Sequence, residues 1–442
     1  MALCIQDQPM THTQDSRTIH TTAVSGFDDA LMEQVRARFH HVDHCPYTGP
    51  RVFFENAGGS LTLKAVVTRM AEVAALPDND HRDNEASRAI SAMIVDGRQA
   101  MGCLLGVEDG VVFGGETGTE CLFRVIRAAA TAAPPGGSMV ACELEHPATF
   151  DATAVWAKRT DRQRLTVPFD PHTGRVTAEE YARVVQPDTR VATILHTSPV
   201  TGMTQDVAAI AAAIRSIAPD CYIIVDGIQH APHGALSVSA YGVDAYAVSL
   251  YKVFCPFNDG YAWVSPRLSV VDHDRLAGKP DDAWELGSRD PAAWAGASEM
   301  VAYLEWLGGK FTTAKDRRAR LLAAGQAMHD QEAALIQRLI RGSGAITGLK
   351  ELPGVTLIGE VDSPWREGAV SFCVEGRDAL YIVAELGERG IRVHARKDDA
   401  YSGNILRPLG LPSVTRVSLA HYNTPEEVDA CLSALAEVVK CR

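Results

Sequence analysis

The 442-residue chain lacks any uninterrupted run of about 18 apolar residues, the length a membrane-spanning helix needs. Its first thirty residues carry neither a hydrophobic signal core nor an Arg-rich amphipathic face, so the protein is expected to be soluble and cytoplasmic, with no membrane partner. Positive charge is in deficit: 42 Lys and Arg stand against 55 Asp and Glu, a net charge of −13. That balance disfavours nucleic acid and anionic surfaces and leaves a small molecule as the expected partner. Among the ten cysteines there is no C-x-x-C pair, and several sit inside apolar runs where a thiol acts as a small hydrophobe. Reduced thiols follow. His40, His41, Asp43, His44 and Cys45 have metal-ligating side chains, but no second cluster stands at ligand spacing, so no metal is expected.

What is present is globular: 46% apolar and 22% charged residues. From about residue 110, short apolar runs alternate with longer helical patterns, which predicts an α/β domain with a parallel sheet flanked by helices. The expected strands are Gly110 to Gly114, Ser138 to Leu144, Arg164 to Phe169, Arg190 to His196, Cys221 to Asp226, Asp244 to Leu250 and Gly260 to Ser265. Helical stretches between them include Thr119 to Ala132, Thr177 to Gln186, and Asp206 to Ala218 with Asp206 as its cap. Runs such as VATIL are continuous rather than alternating, as in strands buried on both faces. After residue 310, a long amphipathic stretch from Lys310 to Arg341 leads into shorter strands and helices, a smaller α+β domain. The division reads as an N-terminal extension over 1–50, a large domain over 51–310 and a small domain over 311–442.

Ligands in open α/β sheets sit beyond the carboxyl ends of the strands. The first strand runs into G-G-E-T-G-T-E and a helix, a turn that lets backbone amides approach an anion, although such turns also occur without ligands. His146 follows the second strand in E-L-E-H-P. Asp226 ends the strand YIIV, with Gln229 one turn on; it can cap a helix or bind a ligand. Lys252 ends the next strand after a run that should be buried, where desolvation lowers its pKa towards that of a nucleophilic amine. A Schiff-base lysine suits that place. Pyridoxal 5′-phosphate needs a lysine for its aldehyde, an acid for its ring nitrogen and helix-end amides for its phosphate, and all three are here.

In order along the chain, D-G-I-Q, S-L-Y-K and the C-terminal R-V-S-L-A-H-Y-N-T-P-E-E-V-D resemble the class V aminotransferase and cysteine desulfurase family, from about residue 50 to the end. The resemblance implies fold type I: a large domain with a mostly parallel seven-stranded sheet and a smaller C-terminal α+β domain. It implies that Lys252 forms the internal aldimine, Asp226 pairs with the pyridinium, His146 stacks on the ring and Gln229 reaches the phenolic oxygen. Gly118, Thr119, Ser249 and Tyr251 would hold the phosphate. The stretch W-E-L-G-S-R-D would carry Ser288 into the neighbouring subunit's site, making a homodimer. Arg416 would take the substrate carboxylate, and Asn56, in F-F-E-N-A-G-G-S, would contact substrate.

The departures bear on activity. Desulfurases carry a loop cysteine that accepts sulfur as a thiolate, and the corresponding His394 to Asn404 holds none. Pro199 stands where an asparagine is usual, and Phe257 where polar residues are common. The expected activity is therefore a lyase, cleaving a carbon–sulfur or carbon–heteroatom bond of a free α-amino acid without a protein persulfide. A Mannich-type cyclase, similar to the loline-alkaloid enzymes with their N-A-G-G-S start, and an amino-acid epimerase are alternatives. A non-catalytic cofactor-binding regulator would need an output module, which fifty N-terminal residues hardly supply. A nucleotide-dependent oxidoreductase would need G-x-G-x-x-G spacing, which the turn at Gly114 lacks.

Overall fold

The computed structural model describes residues 26–257 and 259–440; the first half of the expected N-terminal extension lies outside the described residues. Seven strands form the central sheet: β1 Val111–Gly115, β2 Ser138–Cys142, β3 Gln163–Val167, β4 Thr189–Leu195, β5 Tyr222–Asp226, β6 Ala245–Ser249 and β7 Gly260–Val264. Their spatial order is β1-β7-β6-β5-β4-β2-β3. Pairings from β3 through β6 are parallel, whereas β7 runs antiparallel to both β1 and β6. The sheet is thus mostly parallel and α/β, as fold type I requires. Ile223, Ile224 and Val225 of β5 are all fully buried, which is why that strand reads as an unbroken apolar run.

Two cores cover the faces of this sheet. Phe113, Leu122, Ile126, Ile224, Leu268 and Trp284 fill one, and Val140, Ile194, Ile210, Val225, Tyr246 and Met300 belong to the other. Three long helices join the second core: α1 Lys64–Ala74, α2 Glu85–Leu105 and, after the sheet, Pro291–Gly308. Between the strands lie α3 Gly118–Ala132, α4 Pro147–Arg159 and α5 Val207–Ile217. Asp206 caps α5 by accepting from the Ala209 N–H at 2.9 Å, as its sequence position implies.

The C-terminal part builds a four-stranded sheet from β8 Val355–Leu357, β9 Ala369–Val374, β10 His394–Lys397 and β11 Ser413–Ser418, in the order β8-β9-β11-β10. A third core forms under it, from Leu335, Leu339, Phe372, Val417, Leu432 and Leu435. The long helix Arg317–Arg341 bridges two cores: Leu321, Ala324 and Met328 pack with the large sheet, and Leu335 to Ile340 with the small one. The boundary expected near residue 310 falls ahead of this helix, whose first half still serves the large core. Phe54 also joins the small core, because Val52 and Phe53 pair in parallel with Ile391 and Arg392. The stretch from His394 that corresponds to the desulfurases' cysteine-bearing loop begins as strand β10, held by β11 in antiparallel register.

Candidate active site

At the carboxyl ends of β4, β5 and β6 lies a cavity of about 240 Å³. Gly118, Thr119, His146, Asp226, Gln229, Ser249, Tyr251 and Lys252 all line it, so the structure brings together eight of the eleven expected site residues. Thr117, Leu195, Pro199, Ile228 and Phe257 complete the wall. Sequence reading singled out Pro199 and Phe257 as departures but missed the apolar Leu195 and Ile228, which carry no chemical signature.

Lys252 follows β6 in a single turn of 3-10 helix over Leu250–Lys252. Burial lowers its ammonium to about 8, against the opposing pull of Asp226. Its Nζ donates to Gln229 Oε1 at 3.2 Å. Asp226 ends β5 with one oxygen accepting from the Ile228 N–H at 3.0 Å; burial raises its carboxyl to about 6. Two residues after Lys252, Phe254 holds φ +67°, a left-handed conformation costly for a bulky side chain. Its N–H is fixed by Ser60 Oγ at 2.8 Å, and its ring is fully buried among Phe39, Tyr303 and His421. The strained turn that presents the lysine is therefore imposed from outside.

His146 is the N-cap of α4, its Nδ1 accepting the Ala148 N–H at 3.1 Å ahead of Pro147. Burial, then Lys252 and Arg396, lower it to about 3, so the ring is neutral. On the opposite side, Thr117 caps α3 by accepting the Glu120 N–H at 3.0 Å. That leaves the N–H groups of Gly118 and Thr119, residues of the cavity wall, without helical acceptors. The approach is close: a Cβ on Gly118 would stand 2.3 Å from Ser249 Oγ, and one on Gly260 would stand 2.1 Å from the Thr117 carbonyl carbon. Tyr251 stacks on Phe257 with centroids 4.6 Å apart.

Behind the cavity runs a buried polar chain that sequence reading did not find. Gln229 Nε2 lies 3.3 Å from His233 Nε2, and His233 Nδ1 contacts Glu332 Oε2 at 2.7 Å. Glu332 raises His233 against the effect of burial. Next to it, His230 Nδ1 meets Glu367 Oε2 at 2.7 Å and stacks on His196. These partners lie far apart in sequence, and D-G-I-Q-H-A-P-H gives no sign of which acids meet its histidines.

Three expected residues lie elsewhere. Arg416 is buried on β11, its Nη1 donating to the carbonyl of the cavity residue Pro199 at 2.7 Å while its Nε has no partner. Ser288 lines a separate wide cleft with Phe113, Glu285 and Trp294. Asn56 is fully engaged within the chain: Nδ2 donates to Ser418 O at 2.9 Å and Asn423 Oδ1 at 3.2 Å, and Oδ1 accepts from the Tyr422 hydroxyl. Its carboxamide staples the N-terminal turn to the segment after β11.

The residues present fit pyridoxal 5′-phosphate: a buried amine of lowered pKa, a carboxylate facing the same space, a neutral imidazole, and open helix amides beside Ser249 where no Cβ fits. The sequence profile of the aminotransferase class-V family matches residues 52–431. The aminotransferase-like protein FGM3 of Gibberella zeae is 28% identical over 426 residues, covering 92% of this chain and 98% of its own. A probable cysteine desulfurase of Xylella fastidiosa is 25% identical, covering 92% and 95%. In fold, a cysteine desulfurase from Thermococcus onnurineus superposes with TM-score 0.78 at 20% identity, covering 92% of this chain and 98% of its own. The Escherichia coli desulfurase CsdA superposes with TM-score 0.75 at 21% identity, covering 94% and 99%. The chain is an enzyme of the class V aminotransferase family, whose members use pyridoxal 5′-phosphate.

Proposed function

We propose that this enzyme acts on a free α-amino acid as a carbon–sulfur or carbon–heteroatom lyase that forms no protein persulfide. The observation carrying this reading is the segment from His394 to Asn404, which sets the Tyr401 ring beside His146, brings the charge of Arg396 to bear on it and contains no thiol. The nearest cysteine in sequence to Lys252, Cys255, is buried, and burial pushes its thiol well above the ordinary range, so it holds no thiolate.

When bound, the cofactor supplies an electron sink for charge developing at the substrate Cα. Lys252, whose amine burial lowers to about 8, would hold the aldehyde and would supply the base for the substrate Cα proton. Gln229 Oε1 fixes the direction of Nζ. Asp226 would keep the ring nitrogen charged, His146 would lie against the ring, and Gly118, Thr119, Ser249 and Tyr251 would receive the phosphate. Arg416 receives the substrate α-carboxylate. Placing Ser288 in a cleft apart from its own cavity supports its reach into a partner subunit, and so a homodimer.

The test is to incubate the holoenzyme with β-substituted alanines, with and without a thiol reductant. Release of pyruvate and ammonia that does not depend on reductant, and that survives Cys255→Ser, is expected. A trapped protein persulfide, or the amino acid recovered with inverted Cα and nothing eliminated, refutes the reading.

A further inference from the structure

The small-domain sheet carries a second arginine that the cofactor does not account for. His394 of β10 lies opposite Arg416 of β11, and Arg396 lies opposite Val414. Residues two apart on a strand share a face, so Arg396 stands on the same face as His394 and Arg416. It is the diagonal neighbour of Arg416, about 7–8 Å away along the sheet. One carboxylate, Glu55, reaches this face, and it is already taken by Arg392 at 2.6 Å and His394 at 3.1 Å.

Among the described residues no carboxylate contacts either Arg396 or Arg416. Arg396 Nε donates to Ser402 Oγ at 2.7 Å and Nη2 to Tyr401 O at 3.1 Å, neutral partners that aim the group without discharging it. Asp399, whose charge bears on Arg396, turns instead to the Tyr401 N–H at 2.8 Å. Arg416 has the Pro199 carbonyl alone, with Nε buried and unpartnered. Both groups adjoin the cavity wall. Pro199 belongs to it, and the segment holding Arg396 is tied to the His146 turn by the Tyr401 ring, 6.1 Å from that of His146, and by Asn404 donating to the carbonyls of Glu143 and Glu145. Arg396 is felt by His146, Lys252 and Arg416 alike.

Two half-buried or buried guanidiniums that repel one another, reached by the charges of Asp399 and Glu55 but with no acid in contact with either, are left short of counter-charge that a ligand can supply. One α-carboxylate neutralises one of them. We infer that Arg396 is a specificity residue for an α-amino acid whose side chain ends in an oxyanion, a carboxylate or sulfonate, with Arg416 on the α-carboxylate. This rests on the reading that the site takes an α-amino acid, and is independent of which bond is then broken.

The experiment is equilibrium binding to the holoenzyme, followed by calorimetry and by the change in cofactor absorbance, with aspartate, glutamate, cysteate, asparagine, glutamine and alanine. At least one oxyanion ligand should bind tenfold or more tighter than its neutral counterpart; aspartate against cysteate identifies the preferred anion. Arg396→Gln should remove that preference, weakening the acid about 10- to 100-fold and leaving the amide unchanged, whereas Arg416→Gln should weaken acid and amide together. Retention of the cofactor band in Arg396→Gln shows the variant folded, and Arg396→Lys should restore part of the preference. Equal binding of acids and amides, or equal weakening of both by Arg396→Gln, overturns the inference while leaving the amino-acid reading intact. A cofactor band that no amino acid perturbs overturns both.

Discussion

Gly260→Ala isolates the contact on which the proposed phosphate cradle depends. Gly260 opens β7, and its Cα faces the start of α3 so closely that an added Cβ would lie 2.1 Å from the Thr117 carbonyl carbon, 2.3 Å from the Gly118 nitrogen and 2.4 Å from the Thr117 oxygen. Ordinary contact begins near 3.4 Å, so either the strand end or the helix start must withdraw by about 1 Å. These are backbone atoms with no rotamer to change. Overpacking of this kind typically costs about 1–3 kcal/mol, and a 1 Å shift of the Gly118 and Thr119 amides is enough to break hydrogen bonds to a bound anion. The expected outcome is a urea midpoint lowered by about that energy, together with a cofactor Kd raised tenfold or more in absorbance titrations. Gly118→Ala is the comparison: its Cβ meets Ser249 Oγ and Ile228 Cδ1, side-chain ends that can turn aside, so it should lose less stability while still crowding the proposed phosphate site. A Gly260→Ala variant with unchanged midpoint and cofactor affinity would refute the assignment of this contact to the cradle.

Other outcomes follow from the buried charges. The amine of Lys252 titrates at about 8 when folded and near 10.5 when unfolded, so between those values the unfolded chain holds more protons and stability rises with pH. Below pH 8 the penalty is complete, about 3.5 kcal/mol at about 1.4 per tenfold change; Lys252→Met should therefore stabilise the apoprotein at pH 7 and flatten its pH profile in denaturant titrations. Glu332→Leu removes the partner of the buried His233 ring, which can then shed its proton, and should cost about 1–3 kcal/mol, read as a lowered urea midpoint; an unchanged midpoint would show that the contact does not stabilise the fold. Cys255, buried and with its thiol held protonated, should resist iodoacetamide at pH 8 in native protein and react on unfolding, by peptide mass.

What the sequence alone settles is what local chemistry dictates. Continuous apolar runs identify strands covered on both faces, and polar residues just past them must lie at the carboxyl edge of the sheet, so Asp226, Lys252, His146 and the Gly118 turn were legible one at a time. Some local signals went unread: Asn84 caps α2 and Gly106 ends it in the left-handed region, a recognisable pair of helix boundaries. His146 ahead of Pro147 marks a helix start in the same way. Tertiary structure alone decides the rest, because it depends on register and on contacts between distant segments. Only the pairing of β10 with β11 sets Arg396 beside Arg416, only the fold brings Glu332 to His233, and only the packing of Ser418, Tyr422 and Asn423 around Asn56 turns an expected substrate contact into a structural staple. A side chain's type fixes the chemistry it can do; the neighbours that fix its charge and free valences arrive from elsewhere in the chain.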